Sequence, residues 1–297
     1  MWFLEGITLG VVVIFLVSLS WSFVGIFVKV ASLMVDSGTI TFLRFFIGVI
    51  ILAIVYRVKK GPIHIRSKNR WIWVGSIGKS LNYLLENIGI VLGLSYGYMV
   101  GFPISFLLLL LISVFILKES MVSKDWLGAL LSMGGVWMIM LNGRSMSEMI
   151  AENGVANLLF VLAGIGVALH MFSQKKLIPL IDPLTMNLSI FSWCALITAI
   201  PLPLTFEFKG FHLGALLALI ALGAITGLSF YWFAQALRTV PLFLASVISN
   251  SNILFTVLWG VLFFGEPVGL HVLAGALLFS IGMIVVNWPK SKQVRDV

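Results

Sequence analysis

The chain has 297 residues, of which 60% are hydrophobic and only 10% are charged, whereas soluble domains carry about a quarter charged residues. This composition excludes an ordinary soluble protein, because too few polar groups are present to cover a surface in water. In lipid only helices and closed barrels satisfy their backbone hydrogen bonds, and apolar runs of about twenty residues favour helices over barrel strands.

The net charge of +8 does not indicate nucleic-acid binding, because the basic residues stand between apolar runs and form no soluble basic surface. The single cysteine, Cys194, lies inside an apolar run, so an intramolecular disulfide is excluded. No spacing of histidines or cysteines is typical of a metal site. We therefore predict no metal, no cofactor and no catalytic residue.

Ten apolar segments follow one another along the chain. The first lacks a basic segment before it and is too long for a signal peptide, so we interpret it as a retained helix. The predicted fold class is an all-α integral membrane protein with ten transmembrane helices. In chain order, spans 1 to 10 cover residues 7–33, 39–57, 71–92, 96–117, 125–142, 154–175, 184–204, 212–236, 241–264 and 268–288.

The lysines and arginines indicate that both chain ends are cytoplasmic. With that orientation the outer side holds only Arg144 and Lys209. Basic residues concentrate on the cytoplasmic side of membrane proteins, so we predict an N-in, C-in protein of a prokaryotic cytoplasmic membrane, in contact with lipid. Of the nineteen basic residues, the fourteen on the inner side are Arg57, Lys59, Lys60, Arg66, Lys68, Arg70, Lys118, Lys124, Lys175, Lys176, Arg238, Lys290, Lys292 and Arg295.

An internal repeat relates the two halves of the chain at an offset of 147 residues. The sequence Gly-Ala-Leu-Leu occurs at 128–131 and again at 275–278. With the same offset, Glu119 corresponds to Glu266 and Lys29 to Lys176. Each copy contains five predicted spans, an odd number, so the copies must insert in opposite orientations. Inverted repeats of this kind are typical of secondary transporters; a duplicated bundle without transport is the alternative.

Short motifs in both halves match those of a known family of carriers. They are Trp21, Lys29, Arg44-Phe45, Pro103, Leu117-Lys118-Glu119, Gly128 to Gly135, Gly265-Glu266-Pro267 and Gly275 to Gly282. Through these residues the chain resembles the drug/metabolite transporter superfamily, in particular its EamA-type ten-helix carriers. That resemblance implies two EamA-like five-helix repeats, at residues 1–143 and 154–288, and a cytoplasmic tail at residues 289–297. At the position of Asn250 the family usually has a proline, matching Pro103 of the first repeat.

Span 3 carries the most informative polar residues, because ionisable groups at membrane depth are costly and are functional candidates by default. Lys79 and Glu86 are two helical turns apart and share one face, with Asn82 and Tyr83 between them. We predict a cavity wall in which Glu86 binds a substrate amine or a coupling proton. A structural polar network, or a Lys79 that reaches the inner interface, is the alternative. Arg44 in span 2 is interpreted mainly as a structural or interfacial charge.

Span 9 is the second polar candidate. Ser246, Ser249 and Asn250 share a helical face, and side-chain amides can hydrogen-bond a polar solute without burial of a charge. Such groups can also connect helices. Asn250 is the preferred substrate contact, and we expect its repeat counterpart Pro103, with Ser105 beside it, to interrupt span 4 at matching depth.

Span 6 and the aromatic residues supply further candidates. His170 could couple protons, although a histidine hydrogen-bonded between helices is the commoner situation. Trp21, Tyr231 and Trp232, with Gln235, are candidates for a cavity wall, and core packing is the alternative for each.

The leading functional hypothesis is a secondary transporter that exports a small organic metabolite, such as an amino acid or an amine, by alternating access. The chain has no phosphate-binding loop, so transport would be downhill or coupled to protons; we expect a monomer or a homodimer. A nucleotide-sugar or lipid-linked-sugar carrier is an alternative that requires a strongly basic cavity. An integral membrane enzyme is a further alternative, but no clustered catalytic residues occur.

Overall fold

The computed structural model describes residues 2–92, 101–141, 143–264 and 269–288. The predicted turn at Leu94–Ser95, the repeat residue Glu266 and the tail at residues 289–297 lie outside these ranges. Within them the chain is helical, apart from loops and one isolated antiparallel bridge between Val35 and Phe208. The all-α class is therefore confirmed for the described part of the chain.

Each half is a chain of helices with short connections. The first half contains α1 Trp2–Trp21, α2 Val24–Ala31, α3 Ser37–Lys60, α4 Arg70–Leu92, α5 Gly101–Leu111, a π-helical turn at Ile112–Ile116, and α6 Ser123–Leu141. The second half contains α7 Met146–Leu177, α8 Pro183–Ala199, α9 Leu202–Thr205, α10 Leu213–Ala224, a π-helical turn at Ile225–Ser229, α11 Phe230–Ala236, α12 Leu242–Ser249, α13 Asn252–Phe264 and α14 Leu270–Asn287.

Six helical segments in the described residues are long and apolar enough to cross a membrane. Two apolar helices, at Gly101–Ile116 and Pro183–Ala199, are shorter, and α4 and α6 contain more polar residues. Six of the ten predicted spans thus match such segments. Spans 3, 4, 5 and 7 coincide with helices that are too short or too polar to meet this criterion of length and composition. The six segments are Ile7–Ala31, Ser37–Lys60, Gly154–Leu177, Leu213–Ala236, Leu242–Trp259 and Leu270–Asn287.

The distribution of polar residues is the reverse of that in a soluble protein. Large apolar side chains such as Leu16, Ile54 and Leu130 are more than half exposed, whereas Arg44 and Asp125 are buried. Exposed apolar patches of this extent are unfavourable in water. A lipid surround accommodates them, and it leaves the polar groups to be satisfied inside the bundle.

Glycines allow the two halves to pack closely against each other. At Gly135 in α6, a Cβ atom would lie 2.5 Å from the backbone nitrogen of Phe279 and 2.6 Å from the carbonyl oxygen of Gly275, both in α14. Neither atom belongs to a flexible side chain, so only glycine permits this approach. Close helix contact through small residues is typical of membrane bundles.

The N-termini of α3 and α8 are capped in the same way. Asp36 and Asp182 each accept a hydrogen bond of 3.0 Å from a backbone amide three residues on, at Thr39 and Thr185 respectively. Burial raises the pKa of Asp182, but its bonds with Lys60 and Thr185 outweigh that effect, and the pKa stays below its ordinary value. The two caps lie 146 residues apart, one residue fewer than the repeat offset of 147. The repeat therefore extends to the N-termini of these helices, with a shift of one residue.

Contacts between loops define the two ends of the fold. At one end Lys60 pairs with Asp182 at 2.5 Å, and Glu119 accepts hydrogen bonds from the start of α12. The loops 61–69, 117–122, 178–182 and 237–241 lie at this end. We call it the basic end, because these loops carry Arg66, Lys68, Lys118 and Arg238. At the opposite end the backbone amide of Lys209 donates to the carbonyl of Met34 at 2.9 Å.

Candidate functional site

A cavity lies where the two halves meet, and side chains from both halves line it. Its empty volume, including the part open to solvent, is about 640 Å³, which is within the range of small-molecule sites. The lining residues are Trp21, Val24, Arg44, Lys79, Asn82, Tyr83, Glu86, Phe102, Ser105, Phe106, Leu109, Val167, Met171, Phe230, Ser246, Ser249, Asn250 and Asn252.

Two helical spans are interrupted where they reach this cavity. Span 1 breaks between α1 and α2, next to Trp21, and span 9 breaks at Asn250 between α12 and α13. At the second break the backbone amides of Ser251, Ile253 and Leu254 donate three residues back instead of four. Discontinuous helices are a recurrent feature of transporter sites, because their ends bring backbone groups to membrane depth.

α4 contributes a row of polar side chains to the cavity. The Lys79 ammonium donates a hydrogen bond to Oδ1 of Asn82 at 2.7 Å, and the Asn82 amide donates to Oε2 of Glu86 at 3.2 Å. Lys79 also lies over the rings of Tyr83 and Phe230, at 3.9 and 4.2 Å from their centroids. Asn82 therefore links the two charges that are two helical turns apart.

Arg44 of α3 completes this polar wall. Its guanidinium donates to Oδ1 of Asn87 at 2.7 Å, lies 3.7 Å from Oε1 of Glu86 and stacks 3.6 Å above the ring of Tyr83. The Asn87 amide in turn donates to the hydroxyl of Thr41 at 2.8 Å. Arg44 is only 1% exposed, so of the two predicted alternatives it is the structural charge and not the interfacial one.

The second half contributes neutral polar groups and aromatic rings. The Ser246 and Ser249 hydroxyls donate to carbonyls of their own helix, whereas Oδ1 of Asn252 is buried without a hydrogen-bond partner in the described ranges. Phe230 of the second half packs against Trp21 of the first half, with a distance of 4.8 Å between the ring centroids. This wall offers hydrogen-bonding groups and ring surfaces but no charge.

Eight of the thirteen residues predicted from the sequence line this cavity, and five do not. Those in the lining are Trp21, Lys79, Asn82, Tyr83, Glu86, Ser105, Ser246 and Asn250, and those outside it are Pro103, His170, Tyr231, Trp232 and Gln235. The cavity thus lies where spans 1, 2, 3, 4, 6, 8 and 9 meet, and the role of the eight predicted residues in binding stays a prediction.

The residues outside the lining have other surroundings. His170 is buried between the rings of Phe191 and Phe230, with Nδ1 3.2 Å from the carbonyl oxygen of Gly75, so it connects helices. Trp232 is 49% exposed on the outer surface of the bundle. Pro103 is buried in the first turn of α5, and the residues just before this helix, where the expected interruption of span 4 would lie, are outside the described ranges.

Tyr231 and Gln235 contact each other rather than the cavity. The Gln235 amide donates to the Tyr231 hydroxyl at 3.1 Å, and the ammonium of Lys59 lies 5.6 Å from the tyrosine ring. The inward-facing residues of α11 are Phe230 and Phe233 instead. Phe230 and Asn252 are among the lining residues that the sequence did not predict as site residues, and the repeat offset of 147 from Tyr83 and Ser105 would have indicated both.

A second polar cluster lies at the basic end, where α12 begins. Glu119 accepts hydrogen bonds from the backbone amides of Leu242, at 2.8 Å, and Phe243, at 3.2 Å, and lies 3.7 Å from Lys175. Lys118, in the left-handed region with a φ of 53°, turns the chain so that Glu119 can reach α12. We call this contact the α12 anchor; it joins the first half to the second.

An all-helical membrane fold of two repeats with a polar cavity at their junction is characteristic of secondary transporters. The model of the EamA-like transporter family matches this chain twice, over residues 8–141 and 154–288. The chain belongs to this family, as predicted, and is a multi-pass membrane protein of a family of transporters, not enzymes.

Similarity to solved structures agrees with the fold. A chain described as "Crystal structure of protein" has a TM-score of 0.77 and 17% sequence identity, and the match covers 94% of this chain and 98% of that one. At this identity the likeness concerns the fold alone. No curated protein matches the sequence.

Proposed function

We propose that this chain is a secondary transporter that exports a small organic metabolite, such as an amino acid or an amine, from a prokaryotic cytoplasm. The observation that supports the proposal is the polar cavity between the two halves of an EamA-family chain. Its volume of about 640 Å³ suits a metabolite and not a macromolecule.

The proposed mechanism is alternating access between two inverted repeats. We propose ten membrane crossings, five in each half, with both chain ends in the cytoplasm and the basic end facing inward. Solute would reach the cavity from one side while contacts such as the α12 anchor close the other. The two halves, residues 1–143 and 154–288, would then rock about their glycine-lined junctions. Whether one copy or two form the working unit does not affect this scheme.

The charges in the cavity argue against the nucleotide-sugar alternative. A diphosphate would need several uncompensated cations, whereas Arg44 already faces Glu86 and Asn87. Proton coupling is proposed for Glu86, the carboxylate in the lining, rather than for His170, which is enclosed by aromatic rings and lies outside the lining. Substrate-driven protonation of Glu86 would weaken its contact with Arg44 and link binding to closure.

Counterflow in proteoliposomes tests the proposal. Purified protein would be screened for thermal stabilisation by amino acids, amines and sugars, because a solute that binds only the folded state must stabilise it. The stabilising solute would then be loaded inside vesicles and uptake of its labelled form measured. We expect uptake that needs the protein, and a loss of at least about tenfold in Asn250→Leu, which removes an amide from the lining.

The matched control is Asn287→Leu, the same chemical change at an exposed residue that bonds only to its own helix, at Met283. It should transport like the parent protein. If no solute exchanges, or if Asn250→Leu transports like the parent, the proposed carrier function or the proposed site is wrong.

A further inference from the structure

The charges that line the cavity are unequal in number. Two lining residues carry a positive charge, Arg44 and Lys79, and one lining residue, Glu86, carries a negative charge. Glu86 lies 3.7 Å from Arg44, and Lys79 has no ion-pair partner in the described ranges. Burial of a charge is costly unless an opposite charge compensates it. The site thus has one positive charge in excess, on Lys79.

Lys79 is held in a position to receive an anion. Of its three N–H donors, one bonds the Asn82 oxygen at 2.7 Å, and its ammonium otherwise faces the rings of Tyr83 and Phe230. Ring faces attract a cation, but less strongly than a carboxylate does in a site of low dielectric. The side chain is 4% exposed and borders the cavity, so a bound carboxylate could add the missing negative charge.

Hydrogen-bond donors are also in excess over acceptors at this site. The indole N–H of Trp21 and the Nε–H of Arg44 are buried without a partner within the described part of the chain. Among the lining residues the only buried acceptor in the same situation there is Oδ1 of Asn252. Charge and hydrogen bonding thus both favour a ligand group that accepts hydrogen bonds.

Glu86, by contrast, is poorly placed to bind an amine. One carboxylate oxygen already accepts from Asn82 at 3.2 Å, and the other faces Arg44 at 3.7 Å. An ammonium that replaced these contacts would leave the Arg44 guanidinium without its counter-charge, at a large cost in a buried site. Glu86 therefore neutralises Arg44, and the excess positive charge remains on Lys79.

We propose that the solute of this cavity is recognised through a carboxylate that binds Lys79, while its apolar body packs on Trp21, Phe106 and Phe230. This inference rests on the proposed function, since it names the solute class of the same cavity. Both a plain monocarboxylate and a zwitterionic amino acid carry the required group. An amine without a carboxylate lacks it and does not bind.

The test uses ligands matched in their apolar body. One set is 2-phenylethylamine, phenylalanine and 3-phenylpropanoate, and a second is 3-methylbutylamine, leucine and 4-methylpentanoate. Affinities come from the ligand-dependent melting temperature of the purified full-length protein. We expect at least one carboxylate-bearing ligand to bind and neither amine to do so. Binding by the amino acid but not by the monocarboxylate would identify a zwitterion as the solute, and the reverse would identify a plain anion.

Charge variants with opposite expected effects separate recognition from folding. Lys79→Gln should weaken carboxylate binding by about tenfold to a hundredfold, the usual effect of losing a hydrogen bond to a charged group. Glu86→Gln should tighten it, because the site then gains positive charge. Lys59→Gln is the control, since Lys59 is exposed and lies outside the cavity lining. If Lys79→Gln does not fold, Lys79→Arg serves instead and should retain the preference for carboxylates.

Several results would overturn the proposal: amines that bind while carboxylates do not, no binding by either class, or parent-like carboxylate affinity in Lys79→Gln. Counterflow separates this inference from the carrier function. Exchange of amines would leave the carrier function intact and refute the anion site. Binding of carboxylates without exchange of any solute would support the site and refute transport.

Discussion

Replacement of Glu119 by glutamine is expected to open the basic end of the protein. The Glu119 carboxylate bonds two backbone amides at the start of α12 and faces Lys175, and its side chain is 13% exposed. From this anchor α12 runs one turn to Ser246 on the cavity wall. The contact therefore holds a cavity-lining helix against the opposite half.

The expected size of the effect follows from the contacts that glutamine cannot replace. Glutamine keeps one of the two carboxylate oxygens and places an N–H donor at the other, so one of the two charge-assisted bonds is lost, at about 1.5–3 kcal/mol. Loss of the negative charge at a helix N-terminus adds about 0.3–1 kcal/mol. The two losses together amount to about 2–4 kcal/mol, which corresponds to a shift of about 30- to 900-fold in the balance between the closed and open basic end.

Cysteine labelling measures this shift directly. Cys194 is fully buried, so a Ser246→Cys variant carries one reporter in the cavity wall. With the proposed orientation, the basic end of the protein faces the medium in inverted membrane vesicles, and a membrane-impermeant maleimide would reach that cysteine through it. We expect Glu119→Gln to raise the labelling rate at least about thirtyfold. The control is Glu148→Gln, which removes a carboxylate that caps the N-terminus of α7 on the opposite side.

Two results would refute this reasoning. An unchanged labelling rate in Glu119→Gln, together with a lower melting temperature, would mean that the α12 anchor stabilises the fold without closing the basic end. An equal increase in Glu148→Gln would mean that any weakened helix terminus exposes the reporter.

Three further predictions concern stability, measured as thermal unfolding of the purified protein. Asn87→Leu should cost about 2–3 kcal/mol, because the buried Arg44 loses a charged hydrogen bond. Gly135→Ala should cost about 1–3 kcal/mol through backbone overlap, whereas the neighbouring Gly134→Ala, with its nearest contact 3.4 Å away on a side chain, should be almost neutral. Asp182→Asn should lower the melting temperature at pH 7. The folded-state pKa of Asp182 is depressed, so the ionised carboxylate stabilises the fold above its unfolded pKa of about 3.9. This stabilisation is lost as the pH falls from that value through the folded-state pKa. The difference in melting temperature between Asp182→Asn and the parent protein should therefore shrink at such low pH.

The helical spans could be predicted from sequence because each combines an apolar run with polar or glycine-rich ends. The breaks inside them could not. One break lies next to Trp21 in span 1, and another falls at Asn250, the repeat counterpart of Pro103. That break consists of hydrogen bonds to residues three positions back, and such tightened turns depend on tertiary packing more than on residue type.

The polar residues of the candidate site could be predicted from the sequence, because polar groups are costly to bury in a membrane. Its aromatic residues were less predictable. Polar groups at membrane depth have few alternatives to a cavity or a buried network, and Glu86 and Asn250 do lie in the same lining. Aromatic residues are tolerated on either face of a membrane helix, so composition does not distinguish Trp232 from Phe230. The π-helical turn at Ile225–Ser229 also adds a residue to the span, which rotates α11 relative to a regular helical projection.

The two repeats have kept a common scaffold but have diverged in charge at the cavity. With an offset of 147 residues, Phe102 corresponds to Ser249 and Ser105 to Asn252, and all four line the cavity. The charged residues have no charged counterparts, since Lys79 corresponds to Thr226 and Glu86 to Phe233. Every charge in the lining thus comes from the first half, whereas the second half contributes the amides of Asn250 and Asn252. A solute that touches both walls would meet a charged wall on one side and a neutral hydrogen-bonding wall on the other. The proposed solute, with a carboxylate at one end and an apolar body, matches this asymmetry.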